Sequence, residues 1–192
     1  MSINVLLGGN GYIGREVTRQ WLKADPAAEF LVVSSSGKNE LSDPRVKTIA
    51  ADATSYDSLA AVLPEKFDTI VDFLGRPEKD AAALKSINYD PAMAMKRLAE
   101  ERGARAMGMI GGLLGPKPFV TMKREILGEL RKSTVPLVSV EPTVVYGAGR
   151  QDALAKMVPI FKFLGLFSST FKPVTAEEVA GKLVSGLRST AA

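Results

Sequence analysis

Apolar residues along this chain follow two periods in turn. Val5 to Leu7 form a short apolar run that stops at a glycine cluster, and beyond Gly11 the apolar positions Ile13, Val17 and Trp21 recur at i, i+4 and i+8. The run predicts a strand and the spaced set predicts one buried face of a helix. Asp25-Pro26 closes that helix, because the residue before a proline is driven out of the α region. Phe30-Leu31-Val32-Val33 is apolar without interruption, as a parallel strand covered on both faces should be, and it gives way to Ser34-Ser35-Ser36-Gly37-Lys38. Val46 to Ala50 predicts a third strand, followed by Asp52. Thr54-Ser55-Tyr56-Asp57 reads as a capping box opening a helix with Leu59, Val62 and Leu63 inward. Thr69 to Gly75 predicts a fourth strand. Asp72 within it is either a buried hydrogen-bonded carboxylate or a break in register.

A long helical stretch follows, from Glu78 to Arg102. Pro91 inside it predicts a kink or a split, with Asp90 as the cap of the second part, and Gly103 is the stop. Ala104 to Ile110 predicts a fifth strand. Pro118 to Lys132 predicts a helix with Phe119, Met122, Ile126 and Leu130 in register, and Leu137 to Glu141 a sixth strand. This alternation of strand and helix predicts an α/β fold, a doubly wound parallel sheet with helices on both faces. Gly147 to Lys172 alternates poorly and is rich in Phe, Gly and Ser. We read residues 147–175 as a reduced capping segment of a single domain spanning 1–192. Its apolar residues Ile160, Phe161, Phe163, Leu164, Leu166 and Phe167 could roof a substrate pocket, form a dimer contact or pack into the core. Thr175-Ala176-Glu177-Glu178 is a second capping box, Val179, Leu183 and Leu187 form the inner face of a last helix, and Thr190 to Ala192 read as a frayed end.

The stretch that organises the rest is Gly8-Gly9-Asn10-Gly11-Tyr12-Ile13-Gly14, placed between a strand and a helix. Gly8, Gly11 and Gly14 are spaced as GxxGxxG, and each has a separate task. Gly8 permits the sharp turn out of the strand, Gly11 lets backbone approach a diphosphate, and Gly14 lets the helix lie close. The helix N-terminus then offers free N–H groups and the positive end of its dipole to the phosphates. The stretch predicts dinucleotide binding, with Gly9, Asn10, Tyr12 and Ile13 in the same binding loop; the alternative is a glycine turn without a ligand.

Composition narrows the chemistry. The chain has 192 residues, with no cysteine and no histidine. Disulfides, thiol nucleophiles, zinc sites of the usual ligand sets and histidine-based triads are therefore excluded, and no metal site is expected. Proton transfer is left to Tyr, Lys, Asp, Glu or water. The net charge of +4 comes from dispersed residues, which reads as a mild attraction for anionic ligands and not as nucleic-acid binding. The longest apolar stretch, Met157 to Phe167, is interrupted by Lys162 and is too short to span a bilayer. With no leader pattern at the N-terminus, the expected location is cytoplasmic, without membrane insertion.

The order of motifs resembles the short-chain dehydrogenase/reductase superfamily in its extended or atypical branch, the epimerase/dehydratase and NmrA-like relatives. The glycine triplet matches that family's GxxGxxG. Asp52, with Ala53 beside it, matches the acidic position that touches adenine. Leu74-Gly75 matches the glycine-ended fourth strand that lines the cofactor, and Asn88 falls where the family carries an asparagine in the following helix. Glu141-Pro142-Thr143-Val144-Val145-Tyr146-Gly147 resembles its Arg-Pro-x-x-Val-Tyr-Gly segment, which puts Pro142 and Val144 beside the cofactor. Pro173-Val174-Thr175-x-x-Glu178-Val179-Ala180 resembles a late family stretch. The resemblance implies a nicotinamide dinucleotide as cofactor, a small-molecule substrate of unknown identity, and a homodimer built from the two central helices.

The same comparison exposes departures. The family's catalytic tyrosine and lysine, YxxxK, correspond here to Phe119-Val120-Thr121-Met122-Lys123. Lysine is kept and the proton-carrying phenol is lost, although one helical turn still puts Phe119 and Lys123 on one face. The family's serine after the fifth strand is absent from Ile110-Gly111-Gly112-Leu113-Leu114-Gly115, where Gly112 stands. Glu141 replaces a frequent arginine, and the substrate region is short. Lys123 is then either a ribose-binding residue or a solvated lysine beside Arg124 and Glu125. Tyr146 and Tyr12 are the hydroxyls placed to stand in as acid, or they line the pocket. No carboxylate stands at the tip of the second strand to accept from a 2′-hydroxyl. Ser34, Ser35, Ser36 and Lys38 suit a 2′-phosphate, so NADP is expected, with NAD as the alternative. Arg15 could assist the phosphate or face solvent. Asp52 could touch adenine or cap the following helix. These readings leave two functions open: an NADP-dependent oxidoreductase or isomerase without the usual Ser/Tyr pair, or a non-catalytic dinucleotide-binding sensor or partner-binding module.

Overall fold

The computed structural model describes residues 2–142, 145–146 and 174–191. Six parallel strands form one sheet: β1 (Ser2–Leu7), β2 (Ala28–Ser34), β3 (Val46–Ala50), β4 (Thr69–Asp72), β5 (Ala106–Ile110) and β6 (Leu137–Val140). Their order across the sheet is β3-β2-β1-β4-β5-β6. Helices α1 (Tyr12–Ala24), α2 (Tyr56–Val62), α3 (Ala81–Glu101), α4 (Lys117–Leu130) and α5 (Ala176–Ala191) make the crossovers and the layers. The order reverses between β1 and β4. Chain leaving these two strands runs to opposite sides, which opens a crevice at their carboxyl ends.

Strand alternation builds two cores. Val5 and Leu7 of β1, with Ile70, Met107 and Met109, face the layer of α2, α3 and α4. Leu6, Val71 and Ala106 face α1 and α5, where Val17 and Trp21 meet Ala180, Leu183 and Leu187. The predicted inward face of α1 is therefore real, and Trp21 meets Phe30 edge to face at 5.6 Å between ring centroids. A separate two-stranded pairing, β7 (Val145–Tyr146) with β8 (Val174–Thr175), leads directly into α5. There the second capping box closes as expected. Thr175 N–H donates to Glu178 Oε2 at 2.9 Å and Glu178 N–H donates to Thr175 Oγ at 3.0 Å.

Several boundaries differ from expectation. The first predicted box resolves into a single cap: Ser55 precedes α2 and accepts from the Ser58 N–H, so the helix starts one residue beyond Thr54's reach. α3 begins at Asp80, whose carboxylate accepts from Ala83 N–H, and runs through Pro91 without a split. Asp90 caps nothing and pairs with Lys85. The helix tolerates the missing N–H because Ala92, Met95, Leu98 and Ala99 around it are fully buried, so packing outweighs one lost helix bond. Gly103 does end it, with Ala104 N–H bonded back to the Ala99 carbonyl at 2.9 Å. Thr190 and Ala191, expected to fray, belong to α5: the Ala191 carbonyl accepts from Arg105 at 2.8 Å, and Thr190 Oγ bonds the Gly186 carbonyl, while Ala192 lies outside the described residues. The capping segment, including Ile160 to Phe167, lies outside the described residues. No helix among the described residues is long and apolar enough to cross a membrane.

Candidate functional site

The site forms where β1, β4, β5 and α4 converge. Gly8 adopts φ +72° at the exit from β1, and its N–H bonds the Val33 carbonyl at 2.9 Å. A Cβ there would stand 2.6 Å from Leu74 Cδ2, so the turn and the approach of the β4 loop both require glycine. A Cβ on Gly14 would stand 2.6 Å from both Cα and the carbonyl oxygen of Gly9, because the first turn of α1 rests on the loop itself. Gly11 is different. Its backbone is extended at φ −66°, and a Cβ would meet only the Gly8 carbonyl oxygen, at 3.3 Å. Its missing side chain is not needed for packing; it leaves open the side that faces the cavity.

That cavity has a volume of about 590 Å³. Gly11, Tyr12, Ile13 and Gly14 form one wall. Phe73, Leu74, Gly75, Arg76 and Pro77, after β4, form a second. Ile110 to Gly112 and Leu114 to Pro116, after β5, form a third, with Phe119, Lys123, Pro142 and Val145 completing it. Gly11 caps α1 without a side-chain hydrogen bond, and the first turn of that helix carries no acidic residue. The helix thus points its first turn, without a side-chain cap, and its positive dipole end at the cavity. This donor set fits a diphosphate.

Lys123 is not the solvated helix lysine that was the alternative. It is 3% exposed, its Nζ donates to the Leu74 carbonyl at 3.2 Å, and it stands 5.8 Å from the centroid of the Phe119 ring. Asp72 resolves the oddity in β4. It is a buried carboxylate on the same side of the sheet as Lys123. One oxygen accepts from Leu74 N–H at 2.8 Å, and the other has no hydrogen-bond partner. Burial pushes the Asp72 carboxyl up to about 6 against the opposing pull of the Lys123 ammonium. Burial likewise lowers Lys123 from its ordinary value, with Asp72 acting the other way. Asn88 of α3 joins them. Its amide N–H groups bond the carbonyls of Arg76 and Leu84, both at 2.9 Å, and its own oxygen is buried without a partner. Gly75, at φ +120°, makes room for this group: a Cβ there would overlap Asn88 Oδ1 and stand 2.7 Å from Lys123 Nζ.

The predicted residues separate by place in the fold. Gly11, Tyr12, Ile13, Gly14, Leu74, Gly75, Lys123 and Pro142 line the cavity together. Gly8, Gly9 and Asn10 shape the loop beneath it. Ser34, Ser35, Ser36 and Lys38 lie at the end of β2, beside the glycine loop, with Ser34 Oγ bonded to the Lys38 carbonyl at 3.3 Å. Asp52 and Ala53 follow β3 at the outer side. Asp52 accepts from Thr54 N–H and hydroxyl at 2.9 and 2.7 Å, and it does not cap α2. Glu40 folds back so that its N–H bonds Asn10 Oδ1 at 3.2 Å and its carboxylate pairs with Arg15. Arg15 is therefore ion-paired and not simply solvated. Val144 lies outside the described residues, as does the side chain of Tyr146. Asp72, Lys123 and Asn88 were each singled out in the sequence, but nothing there said that they come together; Lys123 gave the one positional hint, lying on the apolar stripe between Phe119 and Ile126.

This strand order, with a glycine turn after the first strand and a crevice at the switch point, defines a doubly wound Rossmann domain. The sequence profile of the NAD dependent epimerase/dehydratase family matches residues 5–108, and the chain belongs to that family. A search of curated proteins finds no significant sequence match. Among solved structures, the fold is similar to that of Bordetella bronchiseptica WbmH, crystallised with NAD+ (12% identity, 98% of this chain, 72% of that one, TM-score 0.72). It is also similar to a short chain dehydrogenase family protein from Francisella tularensis (16%, 100%, 93%, TM-score 0.73). A third is the UDP-Glc/GlcNAc 4-epimerase of Campylobacter jejuni (16%, 98%, 75%, TM-score 0.73). At these identities the likeness establishes a common fold.

Proposed function

We propose that the crevice binds NADP(H) in preference to NAD(H), and that the protein is an NADP-dependent oxidoreductase without the family's Ser/Tyr pair. The observation that carries this reading is the uncapped N-terminus of α1, opening through Gly11 onto the cavity. The loop from Gly8 to Gly14 holds the diphosphate. Ser34, Ser35, Ser36 and Lys38, with Arg15 released from Glu40, receive the 2′-phosphate, while Asp52 and Ala53 border adenine. Leu74, Gly75 and Pro142 flank the nicotinamide end, and Lys123 reaches its ribose. The bound nicotinamide supplies or accepts hydride.

The walls decide which substrates suit the site. Phe73, Leu114, Pro116, Phe119 and Ile110 make the substrate side apolar, and Arg76, at the same cavity, is already paired with Glu78 at 2.6 Å. Losing the tyrosine acid typically costs ~10²–10⁴-fold in rate. An apolar acceptor that is already activated, such as a quinone or an enone, is the substrate class that such a site can reduce. Phe119 and Gly112 also favour a second reading, a dinucleotide-binding sensor that does not turn over.

Thermal shift with NADPH and NADH tests the binding: a larger stabilisation by NADPH is expected, and tighter NADH binding counts against the 2′-phosphate assignment. Incubation with NADPH and a panel of quinones and enones, followed at the nicotinamide absorbance, separates enzyme from sensor.

A further inference from the structure

We propose that Lys123 is the proton donor of this site and that Asp72 is a positioning residue, the buried counter-charge that keeps Lys123 in its ammonium form. This inference rests on the coenzyme-binding reading above. The Lys123 ammonium has three N–H donors, and one is held by the Leu74 carbonyl at 3.2 Å. The amine lines the cavity, and the residue one turn earlier, Phe119, has no proton to give. Behind it lie two buried acceptors without partners, Asp72 Oδ2 and Asn88 Oδ1. Polar atoms left unpaired in a core carry a free-energy cost, and they persist where they serve a charge or a ligand.

Among the described residues, charged groups near Lys123 come from two places. β4 contributes Asp72, whose charge opposes the effect of burial on Lys123. The loop after β4 contributes Arg76, mostly exposed and engaged with Glu78. α3 faces it with neutral Asn88, and the charged pair Lys85–Asp90 of that helix lies on its exposed side. Tyr12 occupies the opposite wall. A lone buried ammonium would lose its proton. With the buried carboxylate of Asp72 opposing the effect of burial, Lys123 keeps its proton, yet releases it more readily than a solvated lysine.

The step balances simply. With a reduced nicotinamide bound, a conjugated carbonyl acceptor would gain hydride at its β-carbon and a proton at oxygen from Lys123. The C=C bond would shift to join the α-carbon to the carbonyl carbon, the C=O π bond would be consumed, new C–H and O–H bonds would form, and an N–H bond of Lys123 would break to leave the neutral amine. The resulting enol reverts to the saturated ketone, and water at the cavity mouth returns the proton to Lys123. One hydride and one proton are used per turnover.

The test begins on the protein alone. The side-chain NMR resonance of Lys123, assigned by its loss in Lys123→Met, is followed against pH. The expected midpoint lies below the ordinary lysine value of 10.5 and falls further in Asp72→Asn. In turnover with NADPH and an enone, Lys123→Arg keeps a ribose-binding cation but gives up its proton poorly. Its kcat is expected to fall by ~10²–10⁴-fold while the KM for NADPH changes little. In Asp72→Asn the high-pH limb of the kcat profile moves to lower pH. A Lys123 midpoint at the ordinary value, or full kcat in Lys123→Arg, overturns the proposal. Coenzyme binding is measured separately by thermal shift. An ordinary midpoint with intact NADPH binding therefore sinks only the acid assignment, and a displaced midpoint without NADPH binding sinks only the coenzyme reading.

Discussion

Gly14 and Gly11 stand three residues apart in the same loop, and the structure gives their substitutions opposite outcomes. Gly14→Ala places a Cβ 2.6 Å from the Cα and carbonyl oxygen of Gly9. Both are backbone atoms of a loop pinned by the Gly8–Val33 hydrogen bond, so α1 must shift away from β1. Overpacking costs about 1–3 kcal/mol, and an unyielding backbone puts this site at the upper end. Alanine's better helix propensity returns about 1 kcal/mol, leaving a net loss near ~2 kcal/mol. At roughly 2–4 °C per kcal/mol for a chain of this size, Tm falls by about 4–8 °C. Gly11→Ala meets a single carbonyl oxygen at 3.3 Å in a backbone conformation open to any residue. Its stability cost stays below about 1 kcal/mol. Its effect is on the ligand: losing one charge-assisted bond of about 1.5–3 kcal/mol weakens NADPH by roughly ten- to a hundredfold. Thermal unfolding without ligand, together with coenzyme titration by fluorescence, reads both quantities. An unchanged Tm in Gly14→Ala refutes the close approach of α1. Wild-type NADPH affinity in Gly11→Ala refutes the placement of the diphosphate.

Three further outcomes follow from the geometry. Phe119→Tyr combined with Gly112→Ser is expected to create NADPH-dependent reduction of simple ketones, because a Cβ at 112 meets only the Phe119 ring, at 3.4 Å, and the serine fits; no gain with coenzyme still bound refutes the correspondence. Asp72 titrates at 3.8 when unfolded and about 6 when folded, so between those pH values the native state holds a proton that the unfolded chain has released, and above them both are ionised. Its contribution to stability therefore declines as pH rises from about 4 to about 6. The difference in Tm between wild type and Asp72→Asn, measured across that window, should change with pH in this sense, and a constant difference contradicts it. Thr175→Ala breaks one arm of the box that starts α5 and should cost about 1 kcal/mol, read as a modest fall in Tm.

The strands and the glycine turn were legible because each depends on residues close in sequence. Leu6 and Val71 alternate with Val5 and Ile70 whatever the rest of the chain does, and Thr175 finds Glu178 one turn away. Legibility failed where distant residues decide. Pro91 predicts a kink or a split in α3, and no split occurs because a buried face supplied by β4, β5 and α4 holds the helix through it. Asp72 could be read as a buried hydrogen-bonded carboxylate or a break in register, and its surroundings stayed illegible because Lys123 stands fifty-one residues further along, with Asn88 between them. Glu40 reaches Arg15 by a loop that no periodicity describes. Phe119 and Gly112 showed what the site lacks, but only the fold showed that the lysine left behind is buried.

The layer shared by α1 and α5 has a consequence for synthesis. Leu6, Val71 and Ala106 are covered on that side by residues up to Leu187, while the helix that first meets them ends at Ala24. As the chain emerges from the ribosome, all the strands are made before this half of the sheet can be sealed. Until α5 arrives, the nascent protein carries a sticky apolar face that a chaperone can shield. Ribosome-stalled chains released just short of Val179 should bind such a chaperone, and chains extended past Ala191 should let it go.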